Sequence, residues 1–149
     1  MLTVTVKNFE AFEIDELYDV LQLRSQVFVV EQDCVYLDID GKDRKALHVI
    51  GKNDQGTVVA YTRLFKAGDY FEKASIGRVV VAENARAFGY GHDIMKASIV
   101  AIKEHYQTTA IKISAQTYLQ KFYNSHGFTQ IGEEYLEDGI PHIAMIRNT

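Results

Sequence analysis

The sequence predicts a mixed α/β (α+β) domain: one mixed, mostly antiparallel sheet with helices on both faces. Three observations carry this. Seven short strand-like runs and three helical stretches are visible along 149 residues. Their order is strand, helix, loop, three strands, helix, strand, helix, two strands, which is not the strict alternation of a doubly wound sheet. No Gly/Ser linker, low-complexity tract or internal repeat divides the chain, so residues 1–149 read as a single domain. At this length folding removes roughly two-thirds of the unfolded chain's surface from water, enough for a packed core.

Leu2, Val4 and Val6 alternate with Thr3, Thr5 and Lys7, the period of a strand with one buried face. From Asp15 the spacing changes to three and four: Leu17, Val20, Leu21, Arg24, Val27, Phe28 and Glu31 share one helical face. Asp15 and Glu16 suit the positive end of that helix. Residues 32–46 form a long acidic loop with Asp33, Asp38, Asp40 and Asp43. Strands follow at Ala46–Gly51, Val58–Phe65 and Ser75–Val81, the first two joined by the turn cluster Asn53-Asp54-Gln55-Gly56. A helix runs from about Gly89 to His105, with Ile94, Met95, Ser98, Ile99 and Ile102 on one side. Ala110–Ala115 is a strand, Leu119–Ser125 a short helix stopped by Gly127, and Phe128–Glu133 and His142–Arg147 are strands around the turn Glu137-Asp138-Gly139.

Composition excludes several classes. There is no apolar run near the ~20 residues that span a bilayer, so no membrane association is expected. Residues 1–7 alternate instead of forming a basic region before an apolar one, so no signal peptide is expected. The lone Cys34 supports neither an internal disulfide nor a thiolate metal site, which points to a reducing, cytoplasmic setting and to no metal. The formal net charge of −4 repels phosphate backbones, so no nucleic-acid partner is expected.

The most informative segment is Val79-Val80-Val81-Ala82-Glu83-Asn84-Ala85-Arg86-Ala87-Phe88-Gly89-Tyr90-Gly91-His92. A valine-rich strand runs into a turn with two glycines, and a helix opens behind them. Gly89 and Gly91 let backbone approach a ligand, consecutive N–H groups at a helix start hold an anion, and Arg86 adds positive charge. The dinucleotide fingerprint fails because Ile94 stands at the third glycine position, and the P-loop fails because His92-Asp93 follows Gly91. Two glycines alone fit a tight strand–helix turn as well as an anion cradle.

Arg86-x-x-Gly89-x-Gly91, preceded by Val79-x-Val81, resembles the acetyl-CoA loop of the GNAT (GCN5-related N-acetyltransferase) superfamily. Phe122-Tyr123-x-x-x-Gly127-Phe128 stands where that superfamily has its later helix and strand. The stretches Leu23–Gln32, Asp38–Gly41 and Glu137–Ile143 resemble the small ElaA-like branch. The resemblance implies acetyl-CoA as co-substrate. It implies that Val79 and Val81 offer main-chain partners to pantetheine. It also implies that the N–H groups of Arg86, Ala87, Phe88, Gly89, Tyr90 and Gly91, with His92 beyond, take the pyrophosphate. Tyr123 fits the general acid that protonates the departing thiolate, although an aromatic there also fits plain core. Gln116 occupies the place of a usual Asn near the pantetheine, and Glu83 that of a common Pro.

The general base is less marked, because Ser75-Ile76-Gly77-Arg78 carries no carboxylate. His142 and Glu31 are the leading candidates and His48 the third. The acidic residues of the loop and of the 133–138 segment fit either steering of a cationic amine or solvated surface. Arg24, Arg63 and Arg78, on apolar elements, require carboxylate partners such as Glu31 or Asp40, or a carboxylate of the acceptor. The implied partner is a small-molecule or peptide amine, and small domains of this superfamily often pair as homodimers. Alternatives are an acyl-homoserine-lactone-synthase-like acyltransferase, suggested by Arg24-x-x-x-Phe28 with Asp38 and Asp40, and a non-catalytic CoA-binding or sensing module.

Overall fold

Period-two stretches become strands because alternation places successive side chains on opposite faces of a sheet, where apolar ones meet a helix layer. The computed structural model, which describes residues 1–148, contains β1 (Thr3–Asn8), α1 (Ile14–Arg24), β2 (Leu47–Lys52), β3 (Val58–Phe65), β4 (Ala74–Val81), α2 (Tyr90–Tyr106), β5 (Ile111–Gln116), α3 (Gln120–Asn124), β6 (Thr129–Glu137) and β7 (Ile140–Arg147). They form one seven-stranded sheet in the order β1-β2-β3-β4-β5-β7-β6. Every neighbouring pair is antiparallel except β4 and β5. That pair needs a crossover, and α2 supplies it.

The sheet has a helix layer on each face. On one, Ile94, Met95, Ala101 and Ile102 of α2 pack with Val49, Leu64, Ile111, Ile113, Phe128 and Met145. On the other, Val20 and Leu23 of α1, with Val27 and Phe28 beyond it, pack on Ile50, Val58, Tyr61 and Val80. Each such side chain contributes about 1.5–3 kcal/mol on burial. Thr62 and Ser98 hydrogen-bond across the β3–α2 contact, so the polar atoms buried there are paired.

The helix expected to run through Glu31 changes register. After Arg24 the chain continues as a π-helix over Ser25–Glu31. Val27 and Phe28 remain buried, so the expected face persists through the change. β6 is longer than expected. Gly132 adopts φ +71°, and the pairing jumps from Ile131↔Ala144 to Tyr135↔His142, placing extra residues opposite β7. This bulge hides the strand's alternation from the sequence. With Glu133 and Glu134 it also blunts an exposed sheet edge.

A second bulge sits in β4. Tyr61 pairs with Val80 and Arg63 with Gly77, so Arg78 and Val79 together oppose Thr62. Arg78 takes φ +49° there. The extra residue exchanges the two faces: Ala74 and Ile76 join the α2 core, whereas Val80 joins the α1 core and Val79 and Val81 turn toward α2.

The acidic loop is held down by the three arginines. Arg24 donates to Asp38 (3.0 Å), to Asp43 (2.8 Å) and to the Asp38 carbonyl (3.0 Å). Arg63 donates to both Asp40 oxygens (2.9 and 3.0 Å) and to Asp43 (3.1 Å). Arg78 lies 2.8 Å from Asp38 and 3.4 Å from Asp40. Three guanidinium groups balance three carboxylates, so these aspartates are consumed within the fold. For these three aspartates neither amine steering nor solvated surface holds, and the expected pairing of the arginines with Asp40 is met.

Burial opposes ionisation of Asp40, but hydrogen bonds from Arg63 and the Lys42 N–H, with the charges of Arg63 and Arg78, hold its carboxyl down at about 2. Asp43 is also lowered, because Arg24 and Arg63 outweigh its burial. A carboxylate depressed in the fold contributes stability that is present above the unfolded value near 3.9 and lost as pH falls through the folded one. Thermal melts should therefore show Tm falling between about pH 4 and pH 2, with a shallower fall in Asp40→Asn. An equal slope in that variant would contradict the assignment.

Candidate active site

The parallel pairing of β4 and β5 covers only Ala74↔Ile111 and Ser75↔Lys112. Beyond it the two strands diverge, leaving the β5-facing edge of β4 without a strand partner. A cleft of about 440 Å³ opens along this edge, walled by Val27, Phe28, Val79, Val81, Leu119 and Phe122, with Arg86, His92 and Gln116 as polar groups. An extended, mostly apolar chain with amide groups fits such a slot, because an unpaired strand edge offers N–H and C=O partners in sequence.

The glycine turn closes one end. Glu83–Phe88 is a 3₁₀ helix, whose N–H groups donate three residues back. This narrows the set of free donors expected from Arg86 to Gly91. Gly89, at φ +73°, ends the 3₁₀ turn and caps α2. The N–H groups of His92 and Asp93 return to the Gly89 carbonyl, so Tyr90 and Gly91 hold the unpaired donors at the helix start. Of the loop's residues, Arg86, Gly89, Gly91 and His92 line the cleft, while Ala87 and Phe88 are exposed and Phe88 and Tyr90 face another surface depression. His92 contributes its ring, which stacks on Phe122 and lies 2.9 Å from His126. A Cβ on Gly91 would come 3.4 Å from the Phe122 ring, an ordinary contact distance, so α2 passes close to α3 here without excluding a small side chain.

A Cβ at Gly89 meets no atom within 4 Å, so the position is constrained by its dihedral and not by crowding. Gly89→Val should raise the CoA dissociation constant at least tenfold by calorimetry. A β-branched residue abandons the left-handed turn and withdraws the Tyr90 and Gly91 donors. Unchanged affinity would count against the anion-binding role of this turn.

Arg86 forms a two-pronged pair with Glu31 (2.6 and 2.8 Å) and donates to the Val81 carbonyl (3.2 Å). The hydrogen bonds from Arg86 hold the Glu31 carboxyl below its usual range, and Glu31 in turn raises Arg86. Glu31 thus sits with the expected anion loop, away from His142, and the structure does not bring the two leading base candidates together.

His142 lines a second cavity, of about 100 Å³, on the other side of Tyr123. Its Nδ1 is 2.7 Å from the Ile140 carbonyl oxygen. A carbonyl only accepts, so Nδ1 carries a proton, and Nε2 lies 3.4 Å from Glu137 Oε2. Ser114 donates to Glu137 (3.1 Å) and hydrogen-bonds Tyr135, whose ring stacks on His142. Asp138 and Gly139, at φ +52° and +76°, form the tight turn that returns β6 to β7 and aligns Glu137 with His142.

Tyr123, Gln116, Gln32, Val79, Phe28 and Leu119 line both cavities. Gln116 and Gln32 exchange amide hydrogen bonds (3.2 and 3.3 Å) at this junction. Tyr123 packs edge-on against Phe122 and Phe128, and burial pushes its phenol well above the usual range. It therefore belongs both to the core and to the wall between the cavities. His48 is buried with both ring nitrogens engaged, by Tyr61 and by the Asp43 carbonyl, and burial lowers its pKa, so it is a neutral core histidine. Cys34 is a free, buried thiol whose Sγ lies 3.4 Å from the Asp138 carbonyl. Sequence reasoning missed Glu137, Ser114 and Gln32 as lining residues. Glu137 and Gln32 lie in the stretches that resemble the ElaA-like branch but carried no assigned role, and Ser114 carries no spacing signal.

The family model described as acetyltransferase (GNAT) domain matches residues 15–148. Protein ElaA of Escherichia coli strain K12 is 44% identical over 137 residues, covering 90% of this chain and 88% of that protein. Its crystal structure superposes with a TM-score of 0.91, covering 99% of this chain and all of the other. An acyl-CoA N-acyltransferase from Pseudomonas aeruginosa superposes with a TM-score of 0.92 at 40% identity, covering 99% of each chain. The acyl-homoserine-lactone synthase LasI, at 16% identity and a TM-score of 0.76 over 98% of this chain and 89% of that one, shares the fold alone.

Proposed function

The chain belongs to the GNAT acetyltransferase family, and from that premise we propose that it transfers an acetyl group from acetyl-CoA to an amine by direct attack in a ternary complex. The observation that carries this is the placement of Tyr123 between a slot shaped for an extended apolar arm and a polar cavity holding His142. The divergence of β4 and β5, the Gly89 turn and the Gly91 approach fit the arm and diphosphate of CoA. Bound there, acetyl-CoA supplies a thioester carbonyl for attack.

The chain's own residues handle position and protons. An amine with a pKa near 10 arrives as an ammonium and must lose a proton first. His142 Nε2 takes it, directly or through one water, and Glu137 pairs with the resulting imidazolium. As the C–N bond forms and the C–S bond breaks, the phenol of Tyr123 gives its proton to the departing thiolate. The second proton lost from nitrogen restores the phenol through solvent. We assign Glu31 to Arg86 and the diphosphate end, which leaves His142 as the base. The lone free thiol of Cys34 fits a reducing cytoplasm.

Thiol release from acetyl-CoA over a broad amine panel tests the proposal. Amine-dependent release should appear in the native protein and fall roughly a hundredfold or more in His142→Gln. CoA binding without amine-dependent release across the panel would identify a CoA-binding module instead.

A further inference from the structure

Arg78 is not explained by the charge cluster alone. Arg24 and Arg63 are fully buried and already give Asp38, Asp40 and Asp43 their partners. Arg78 is the third cation, its side chain is 19% exposed, and it is carried on the β4 bulge at a φ that a non-glycine residue rarely adopts. Its Nε and Nη2 face Asp38 and Asp40, and its guanidinium lies 5.5 Å over the Tyr36 ring. Among the described residues Nη1 has no protein partner, and it is not sealed from solvent.

The bulge has a consequence for this side chain. Because Arg78 and Val79 share one position opposite Thr62, Val79 lines both cavities while Arg78 lines only the one that holds His142. That cavity is bipolar. Arg78 contributes the cation from β4, and Glu137 and Asp138 contribute carboxylates from the β6–β7 hairpin beside His142. A simple alkylamine leaves Arg78 Nη1 unmatched, and a diamine sets a cation against it. A molecule with an ammonium and a carboxylate a few bonds apart matches both ends.

We propose that the acceptor is a small amino-carboxylate of the α-amino-acid class, its carboxylate held by Arg78 and its amine placed at Glu137 and His142. This rests on the acetyltransferase function proposed above and specifies its substrate class. The net neutrality of the three-arginine, three-aspartate cluster means that the substrate carboxylate meets Arg78 without a surplus negative charge from the aspartates. Glu137 and Asp138 keep the amine end at the hairpin and fix the orientation.

Calorimetry on the CoA-saturated protein tests this without turnover. The probes are the twenty common α-amino acids, each set against its decarboxylated amine and its carboxamide. At least one acid should bind tenfold or more tighter than both analogues, as a charge-assisted contact to Nη1 requires. Arg78→Gln should abolish that difference. Arg78→Lys, which keeps the charge beside Asp38 if the glutamine variant folds poorly, should lose most of it. Equal binding of acid and amine, tighter binding of amines or diamines, no binding of any acid, or a preference that survives both variants overturns the proposal. Amino-acid binding without thiol release would refute the acetyltransferase function and leave this site standing. Turnover of amines without a carboxylate preference would do the reverse.

Discussion

Tyr123→Phe lowers kcat by about ten- to a thousandfold and leaves CoA affinity unchanged. The substitution removes one hydroxyl from a ring that packs edge-on between Phe122 and Phe128, so the apolar packing is retained and Tm should stay within a degree or two. What disappears is the only proton donor proposed at the junction of the two cavities. Burial pushes this phenol well above its usual range, so it stays protonated at neutral pH. A thiolate forming in the same dry wall is destabilised by the same loss of solvation, which keeps donor and acceptor matched as the C–S bond breaks. Steady-state kinetics with acetyl-CoA, paired with calorimetry of CoA binding, separate the two effects. Full turnover in the phenylalanine variant would remove Tyr123 from the mechanism.

Arg24→Ala costs about 3–5 kcal/mol, because it strands two buried carboxylates, Asp38 and Asp43, that no other group fully neutralises. At a urea m-value of about 2 kcal/mol/M the unfolding midpoint drops by about 2 M. Burial alone would favour loss of the Arg24 charge, but the field of Tyr61, Asp38 and Asp43 reverses this and holds the guanidinium above its usual value. Arg24→Lys keeps a charge but not the fork that reaches Asp38, Asp43 and a carbonyl together, so it should fall between the two. The loop it anchors also carries Cys34 and Tyr36, which line the His142 cavity proposed to take the acceptor, so amine KM should rise in variants that still fold. A loss under 1 kcal/mol would mean that the cluster is bookkept elsewhere in the fold.

All seven strands and three helices were legible in the sequence because apolar alternation, helical spacing or a continuous apolar run marks them between turn residues, even where, as in β3, both faces are buried. The misjudged stretches share a cause. Gly132 in β6 and Arg78 in β4 insert residues that break or flip the period, and nothing local distinguishes a bulge from an ordinary step. The π-helix after Arg24 escaped for the same reason, since Val27 and Phe28 stay on the expected face while the hydrogen-bond register changes.

The candidate site divides along the same line. The anion loop lies within one strand–turn–helix unit, so Arg86, Gly89 and Gly91 could be read as a motif. His142 and Glu137 also lie near one another in the chain, but only the hairpin turn at Asp138-Gly139 makes them partners. Glu31 was a base candidate because it lies in a stretch that resembles the ElaA-like branch, and it meets Arg86 fifty-five residues away. The sequence named Asp40 among the carboxylates the arginines required, but that Asp38 and Asp43 join it shows only where Arg24, Arg63 and Arg78 reach them from three separate elements. Local periodicity and short motifs record what a segment does with its own backbone, so the sequence by itself determined the fold class, the two-glycine strand–turn–helix loop and the family. Which charges cancel, which histidine meets a carboxylate and which arginine lines the cavity beside it depend on groups distant in the chain. Those were decided only when the sheet brought them within hydrogen-bonding distance.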